Sequence, residues 1–439
     1  MNIVNSQKKI ISISKKIIKE KNYTACALNY FAVFEDVPGS SYLKFKLNKK
    51  KYFIKFIWNY FKYLMAVPLS KVEFTNNLDQ KTEFKNLLIS WGFKNNFDKN
   101  GNYTDKYIKK NSSSLKETLC LLVYMDKELP KKIKKNIVLV YRKRNFFKIN
   151  FFFLITYVYN VLKNNLFKKN FLLYLTSFSA LSFQIEEYIS QRINLKKLKK
   201  LFLVYEGQPF QKAIIKKVRL AKKDIDILAY DHSAPPPLPL NLIYDNFSPD
   251  KLLVTGKAQI NFYSKYMFWP KSKLKLIPTL RFKNETKNFY MNKFFIPFEL
   301  NETSLALSSI EQLVEEKEIK NIKYYKIQNH PLRNQSSRHI KFIEDIKKII
   351  NQEKIKKFKS KNPSSIFFGQ TTAIILALEF GIKCYHVCSN PIFDSYSSEL
   401  WPELIVKKMN TNLFKYEVRK KNSFVRFHRN RKMERQLWN

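Results

Sequence analysis

Two polar segments, about forty residues apart, combine residue types that bind phosphate groups. The first contains His330 and Pro331, and the second contains Gly369, Gln370, Thr371 and Thr372. Each segment follows an apolar run typical of a β-strand and precedes a run with helical periodicity. Ligands of parallel sheets bind beyond the carboxyl ends of the strands. The pattern therefore predicts that both segments lie at one such edge and bind a nucleotide.

The chemistry of these residues suits a phosphate, although each has a simpler explanation. Gly369 lets the backbone approach a ligand closely, and the hydroxyls of Thr371 and Thr372 would join free N–H groups at the start of a helix. His330 can donate to a phosphate or ribose oxygen, and Pro331 would fix the loop. An ordinary threonine cap and a loop histidine bonded to backbone are the alternatives, and both stay open.

A second group of chemically capable residues follows two earlier predicted strands. Glu206 follows the strand predicted at 201–205, and Asp231 with His232 follows the strand predicted at 225–230. A carboxylate in this position can act as a general base that takes a proton from an acceptor hydroxyl. Asp231 and His232 offer an alternative base or a pair that orients the base. Each could also be a capping or surface residue, and for Asp231 that explanation is favoured.

The elements that would position these residues alternate along the chain. Short apolar runs are separated by longer amphipathic segments, which is typical of strands and helices in a doubly wound parallel sheet. The 439 residues exceed what one hydrophobic core usually serves, so two domains are expected. The predicted fold class is α/β, with two Rossmann-like doubly wound domains that face each other across a cleft.

The pattern also predicts domain boundaries. Residues 1–280 form an N-terminal α/β domain on the acceptor side, with an apolar helical insertion near 146–185. Residues 290–400 form a C-terminal domain that carries the nucleotide site. The segment 270–288 lacks a clear pattern and is the candidate hinge. Residues 401–439 form a basic, aromatic tail, predicted either as a helix that returns to the first domain or as a disordered arm.

The formal net charge of +46 predicts attraction to a polyanion such as nucleic acid, anionic lipid or an acidic glycan. The lysines are dispersed and accompany many Ile, Asn, Phe and Tyr residues, the set that AT-rich codons supply. A genomic bias therefore explains the charge as well as a selected basic surface does. A nucleic-acid-binding protein would gather its cations on one face and carry a binding motif. Neither feature is evident, and no nucleic-acid partner is expected.

Two apolar runs, at 151–162 and 171–183, bear on the cellular location. Each is shorter than the ~20 residues that a membrane-spanning helix needs. They are interpreted either as an aromatic, lysine-flanked surface that lies on an anionic bilayer or as two packed core helices. Residues 1–20 lack the apolar stretch and cleavage site of a secretory signal. The expected location is cytoplasmic, peripheral on the inner face of the cell membrane.

Missing motifs exclude several chemistries. The chain has no Walker loop, Rossmann glycine triplet or Gly-x-Ser-x-Gly elbow, which argues against P-loop kinases and dinucleotide oxidoreductases. Cys384, His386 and Cys388 alternate along a predicted strand. The two cysteines are therefore interpreted as buried core residues rather than metal ligands. Neither a metal site nor a cofactor is expected.

Five short motifs and a glycine together carry a family resemblance. They are Leu88-Ile89-Ser90-Trp91-Gly92, Tyr205-Glu206-Gly207, Tyr230-Asp231-His232-Ser233, His330-Pro331, Gly369-Gln370-Thr371-Thr372 and Gly381. This combination resembles bacterial surface-carbohydrate (capsule and O-antigen) biosynthesis proteins of the two-domain GT-B type. It is similar to the sialyltransferase-like and capsule-polymerase-like glycosyltransferases among them. The resemblance spans roughly residues 85–390.

The resemblance implies an enzyme that transfers a sugar from a nucleotide donor to a surface glycan or lipid-linked acceptor, with inversion and without a metal ion. A CMP-linked acidic sugar is one candidate donor. Glu206 would be the base, His330 would contact the nucleotide phosphate or ribose, and Thr371 with Thr372 would bind phosphate. A non-catalytic, glycosyltransferase-like scaffold of polysaccharide assembly and a basic nucleic-acid-binding protein are the alternative functions.

The chain also departs from the family pattern. Many GT-B enzymes carry a ribose-binding glutamate just before an Ala-Leu pair in the last nucleotide helix. Here Leu376 stands at that position and Glu379 follows the pair. Threonines replace the serine pair of the sialyltransferase-like enzymes. Because of these departures, the resemblance leaves open the identity of the donor and whether the protein is catalytically active.

Overall fold

The protein is described by a computed structural model. The described residues are 2–19, 37–75, 78, 83–115, 117–142, 151–165, 174–297, 300, 302–319, 322–330, 336–352 and 363–427. Pro331 and Cys26 lie outside them, as does Asn301, which the sequence predicts as a helix cap.

The strands form two sheets, and most pairs in each are parallel. The first sheet contains β1 (Glu73–Phe74), β2 (Asn86–Gly92), β3 (Thr118–Tyr124), β4 (Ile137–Tyr141), β5 (Lys200–Tyr205), β6 (Asp226–Asp231), β7 (Lys251–Val254) and β8 (Leu274–Leu276). The second contains β9 (Lys293–Phe295), β10 (Lys326–Gln328), β11 (Ser364–Phe368), β12 (Lys383–Val387), β13 (Leu404–Lys408) and β14 (Leu413–Val418).

Twelve α-helices accompany the sheets within the described residues. They are α1 (Ile3–Lys19), α2 (Pro38–Leu47), α3 (Lys49–Met65), α4 (Phe151–Asn165), α5 (Ser177–Arg192), α6 (Pro209–Ala221), α7 (Lys257–Tyr266), α8 (Lys287–Tyr290), α9 (Thr303–Glu315), α10 (Ser337–Gln352), α11 (Ala373–Glu379) and α12 (Pro391–Asp394). The prediction of a mixed α/β fold with two largely parallel sheets is confirmed. No described helix has the length and apolar composition that would let it cross a membrane.

The first sheet has the order β1-β4-β3-β2-β5-β6-β7-β8, and only β1 runs antiparallel to its neighbour. From β2, the next strands in the chain, β3 and β4, lie successively further out on one side. From β5, the strands β6, β7 and β8 lie successively further out on the other side. The pair β2 and β5 is therefore a topological switch point, beside which open α/β sheets bind ligands. We call it the first switch point.

The second sheet has the order β10-β9-β11-β12-β14-β13. Its strand order reverses between β9 and β11, which we call the second switch point. The strands β13 and β14 form an antiparallel hairpin beside β12. The predicted helix or disordered arm after residue 401 is therefore wrong for residues 404–418. Alternation of apolar and charged residues, as in Tyr416, Glu417 and Val418, is a strand pattern that the high lysine content concealed.

Burial explains why the first sheet is so apolar. All seven residues of β3 are buried, as are five of the six in β5, because both faces of the sheet are covered. Helices α5, α6 and α7 contribute to the core on one face. On the other face the cover includes the β2–β3 connection, with Tyr103, Tyr107 and Ile108 buried against the sheet. This second face carries the candidate site.

The segment 270–288 was the predicted hinge, but part of it belongs to the first sheet. Residues 274–276 form the edge strand β8, which pairs with β7 in parallel. Three apolar or long aliphatic residues at an edge are too short a signal to be recognised from sequence. The connection to the second sheet therefore begins after β8.

Candidate functional site

A tight turn between β5 and α6 fixes Glu206 at the first switch point. Gly207 has a φ of 66°, and a Cβ there would lie 2.1 Å from the backbone oxygen of Asn241. Only glycine meets both conditions. From α6, the Gln211 side chain accepts from the backbone N–H of Glu206 at 3.0 Å and donates to the oxygen of Val204 at 2.7 Å. The backbone that carries the carboxylate is therefore held on both sides.

The Glu206 carboxylate lies beside the imidazole of His232, from the end of the neighbouring strand β6. Oε1 of Glu206 is 3.3 Å from Nε2 of His232, and Oε2 accepts from the Gln208 amide at 2.6 Å. The Glu206 side chain is 33% exposed, whereas the His232 side chain is 3% exposed. A substrate can therefore reach the carboxylate but not the imidazole.

The pKa shifts of Glu206 and His232 indicate the charge of each side chain at neutral pH. Burial alone would raise the pKa of Glu206, but the contact with His232, the Gln208 hydrogen bond and the charge of Arg281 together lower it. Burial lowers the pKa of His232 more than the nearby Glu206 raises it. At neutral pH the carboxylate is therefore ionised and the imidazole is neutral. Glu206 is ready to accept a proton.

Two cations lie near the ring of Tyr107, which contacts His232. The guanidinium carbon of Arg281 lies 5.0 Å from the centroid of the Tyr107 ring, and that ring meets the His232 ring edge-to-face at 4.3 Å. The Lys106 ammonium lies 5.1 Å from the same Tyr107 ring. Burial and the charge of Arg281 lower the pKa of Lys106 to about 8. We call Glu206, His232, Tyr107, Lys106 and Arg281 together the Glu206 cluster.

Neither cation of the Glu206 cluster is neutralised by an ion pair. The Arg281 and Lys106 side chains form no ion pair or hydrogen bond with another described residue, and both contact aromatic faces instead. Partly buried cations of this kind favour an anionic ligand, because they have already lost part of their hydration. The surroundings of Glu206 therefore offer a base and positive charge together.

Asp231, the third predicted catalytic residue, points to the opposite face of the first sheet. Its Oδ2 accepts from the Tyr263 hydroxyl at 2.6 Å and from the Gln259 amide at 2.9 Å, both on α7. Burial raises its pKa to about 7. The structure thus brings Glu206 and His232 together and separates Asp231 from them, and the contacts of Asp231 support the start of α7.

The second sheet places Gly369 and Gln370 directly after β11, at the second switch point. Gly369 has a φ of 57°, and its carbonyl accepts from Nε2 of His386 at 2.5 Å. Burial lowers the pKa of His386 to about 4, so its imidazole is neutral and structural. The Gln370 amide donates to Oδ1 of Asp394 at 2.5 Å. The loop is therefore fixed by its neighbours.

The predicted phosphate ligands show more ordinary roles. Thr371 Oγ1 accepts from the backbone N–H of Ala373 at 3.3 Å, as a local cap does, and Thr372 makes no side-chain capping bond. The helix that follows has only seven residues. His330 lies just beyond the carboxyl end of β10, half-buried, and its predicted partner Pro331 is not among the described residues.

Two side-chain oxygens at this edge are buried without a hydrogen-bond partner in the described part of the chain. They are Oδ1 of Asn329, after β10, and Oε1 of Gln370, after β11. The strand β9 separates β10 from β11, which places the two residues about 10 Å apart. An unpaired buried acceptor is costly, so these oxygens suit a ligand that donates from hydroxyl or amino groups.

The carboxyl-end loops of the two sheets touch each other. The Tyr396 hydroxyl, after β12, donates to the oxygen of Pro235 at 2.8 Å, and Nε1 of Trp401 donates to the oxygen of Pro237 at 3.0 Å. Both prolines belong to the proline-rich segment that follows His232. This segment therefore packs between the two carboxyl edges, close to where the sequence placed the cleft.

The cysteines have structural roles in the second sheet. Cys384 and Cys388 are fully buried, which confirms their interpretation as core residues. Among the described residues, no group of three or more His, Cys, Asp or Glu side chains could hold a metal ion.

Sequence reasoning missed several residues of the site, for two different reasons. Gln211 and Gln259 each occupy the third position of a helix that follows a strand, and a capping-box pattern could have identified them. Lys106 and Tyr107 lie in one loop and Arg281 in another, far along the chain, and neither loop has a local pattern. Only the three-dimensional fold brings the two loops together beside His232.

No protein-family model matches the chain, and neither a curated protein nor a solved structure matches it.

Proposed function

We propose that this protein is a GT-B-type glycosyltransferase that transfers a sugar from a nucleotide donor to a hydroxyl of a glycan or lipid-linked acceptor. The observation that carries the proposal is the Glu206 cluster at the first switch point. There an accessible, ionised carboxylate lies near two cations that form no ion pair with another described residue. General-base chemistry on a phosphate-bearing substrate needs both features.

In the proposed reaction, Glu206 takes the proton of the acceptor hydroxyl as the hydroxyl oxygen attacks the anomeric carbon of the donor sugar. The bond between that carbon and the nucleotide phosphate oxygen breaks, and the phosphate leaves with the bonding electrons. Attack from the side opposite the phosphate inverts the configuration. His232 positions the carboxylate through the 3.3 Å contact with Oε1 and does not touch the substrate itself.

The second sheet would hold the nucleotide. The unpartnered oxygens of Asn329 and Gln370 can accept from ribose hydroxyls or from a base amino group, and His330 lies on the same edge. Contacts between the loops of the two carboxyl edges support a cleft in which donor and acceptor meet. Arg281 and Lys106 would stabilise the charge of the leaving phosphate or of an acidic sugar.

The test separates nucleotide binding from turnover. Melting temperature is measured with CMP, CDP, UDP and GDP, and nucleotide release is measured from sugars linked to each. We expect one nucleotide class to stabilise the wild type, because a ligand that binds only the folded state must do so. Gln370→Ala should lose this stabilisation. Glu206→Gln should keep it but release nucleotide at least about 100-fold more slowly.

The matched control is Glu83→Gln, which changes an exposed carboxylate before the opposite, amino end of β2. It should leave binding and turnover unchanged. Turnover by Glu206→Gln at the wild-type rate would remove the proposed base. Binding of a nucleotide without turnover of any donor by the wild type would favour a non-catalytic scaffold. Stabilisation by nucleic acid alone, and only at low salt, would favour a basic binding protein.

A further inference from the structure

Helix α3 has its apolar side outward. Six large apolar side chains are 47% to 81% exposed: Phe53, Ile54, Ile57, Trp58, Phe61 and Met65. At 100° per residue they occupy a single arc of about 140°. The only fully buried residue of the helix is polar: Asn59, whose amide donates to the Ser41 hydroxyl at 2.8 Å. This is the reverse of the pattern that a helix of a soluble domain shows.

The inner face of α3 is already satisfied by the protein. Phe56 stacks on Phe45 of α2 with ring centroids 5.3 Å apart, and Tyr63 contacts Phe178 of α5 at 5.0 Å. The helix is therefore fixed in this orientation, and rotation cannot bury the outer apolar arc. Contiguous exposed apolar patches of this kind mark interaction surfaces.

Helix α4 repeats the arrangement on a smaller scale. Phe152, Ile155 and Tyr159 are 78%, 66% and 62% exposed and lie on one side of the helix, at a spacing of three and four residues. Tyr157, on the inner side, is buried and meets Phe183 of α5 with ring centroids 5.7 Å apart. Both exposed stripes therefore belong to helices that pack against α5. The stripe of α4 lies in one of the two apolar runs for which the sequence left a bilayer surface and core helices open.

The charge around these helices identifies the partner. Residues 37–72, which include α3, contain eight lysines and no acidic residue, and residues 129–185, which include α4, contain no acidic residue. On α3, Lys51, Lys55 and Lys62 border the apolar arc. Their stems can lie along an apolar surface while the ammonium groups reach phosphate oxygens. An apolar stripe with a lysine border is the arrangement that binds an interfacial helix to anionic lipid.

We propose that the outer faces of α3 and α4 bind the surface of an anionic lipid bilayer. The apolar side chains would enter the boundary between head groups and acyl chains, and the lysines would contact lipid phosphates. The proposal concerns a surface apart from the Glu206 cluster and does not depend on sugar transfer. A protein bound in this way would meet a lipid-linked acceptor at the membrane surface.

The test is co-sedimentation of the full chain with vesicles of phosphatidylcholine alone and of phosphatidylcholine mixed with phosphatidylglycerol. We expect binding to the mixed vesicles, weakened by high salt, and little binding to the neutral ones. The double variant Ile54→Glu with Trp58→Glu should bind the mixed vesicles at least about tenfold more weakly, because two large apolar groups no longer enter the lipid. Both side chains are exposed, so the fold should tolerate the change.

The matched control is Leu220→Glu, which places the same charge on α6 at an apolar residue that is 73% exposed. It should bind as the wild type does. Wild-type binding by the double variant, or equal binding of the wild type to neutral vesicles, would overturn the proposal. So would a wild type that sediments as a dimer without lipid and becomes monomeric in the double variant, because a second copy would then cover the face. None of these readouts requires a nucleotide donor.

Discussion

The carboxylate of Glu206 and the ammonium of Lys106 titrate far apart, although both belong to one cluster. Glu206 has a lowered pKa and stays ionised throughout the neutral range. Lys106 has its pKa lowered to about 8, so it loses its charge just above that range. The charge of Glu206, the proposed base, is therefore constant near neutral pH, whereas the charge of Lys106 changes with pH.

This difference predicts how substrate affinity changes with pH. As the pH rises from about 7 to about 9, Lys106 becomes neutral, and the loss of the charged hydrogen bond proposed between it and the donor should raise the KM for an anionic donor roughly tenfold or more. Lys106→Arg should keep a constant KM over this interval, because a guanidinium stays protonated. The measurement is the KM of nucleotide release against pH for both proteins.

Lys109→Arg is the control for this pH profile. Lys109 is exposed in the same loop, so its replacement should leave the wild-type increase in KM. A wild-type KM that is constant to about pH 9 would mean that Lys106 does not contact the substrate anion.

At the scale of elements, the strand-to-helix turns carry the site, and the glycine after Glu206 is the most demanding position. Gly207→Ala would combine a left-handed backbone with a Cβ 2.1 Å from the Asn241 oxygen. Gly381→Ala meets the same backbone restriction, with a φ of 73°, but its Cβ would contact only the flexible end of the Lys421 side chain. A comparison of alanine variants at the two glycines therefore distinguishes the cost of a steric clash from the cost of the left-handed backbone alone.

We predict that Gly381→Ala lowers the free energy of unfolding by about 1 kcal/mol, the usual cost of a left-handed alanine. Gly207→Ala should lower it by about 3 kcal/mol or more, because backbone must also move, and should slow turnover. Urea denaturation measures both. Equal losses would show that the turn beside Asn241 yields easily, and that Glu206 does not depend on it for position.

The sequence predicts the elements better than the site. A buried strand such as β5 is a largely apolar run with clear ends, and α6 begins at a proline, so local pattern is sufficient for both. The hairpin of β13 and β14 escaped prediction because its charged strand positions resemble the lysine-rich background of the chain. Strand ends located Glu206 and His232, since neighbouring parallel strands end at one edge.

Alternation along a strand places adjacent residues on opposite faces, but it does not show which face carries the site. Asp231 and His232 are adjacent, yet they point to opposite faces of the first sheet, and only His232 reaches Glu206. Arg281 lies about fifty residues further along the chain and joins the site through tertiary packing. Such contacts follow from the path of loops, which carries little periodic signal.

At the scale of the whole molecule, both terminal segments cross between the two sheets. Gln7 of α1 donates to the oxygen of Ser395, beyond the second sheet, at 2.8 Å. Residues 422–427 return to the first sheet, where the Arg426 N–H donates to the Thr255 oxygen at 2.9 Å. Buried Glu379 of α11 holds this returning segment, because it accepts from the backbone N–H groups of Asn422, Phe424 and Val425.

We predict that Glu379→Ala releases the returning segment. Three backbone donors would lose their acceptor, at about 1 kcal/mol or more for each, so hydrogen exchange at residues 422–427 should accelerate at least about tenfold. Exchange of the amides measures this directly. Glu318→Ala is the control, because it removes the pairing with Lys415 in the β13–β14 hairpin and leaves the segment in place. Unchanged exchange in Glu379→Ala would show that other contacts retain the segment.

The returning segment also sets an order of events during synthesis. Gly256 lies so close to the Phe424 oxygen that a Cβ there would be 2.1 Å from it, and the Thr255 hydroxyl donates to the same oxygen across 169 residues of chain. At about 5–20 residues per second, the ribosome needs roughly 10 to 30 s to make the intervening chain. The carboxyl edge beyond β7 therefore stays open for that interval. All eight strands of the first sheet precede the returning segment in the chain, so the sheet can form before its carboxyl edge is covered.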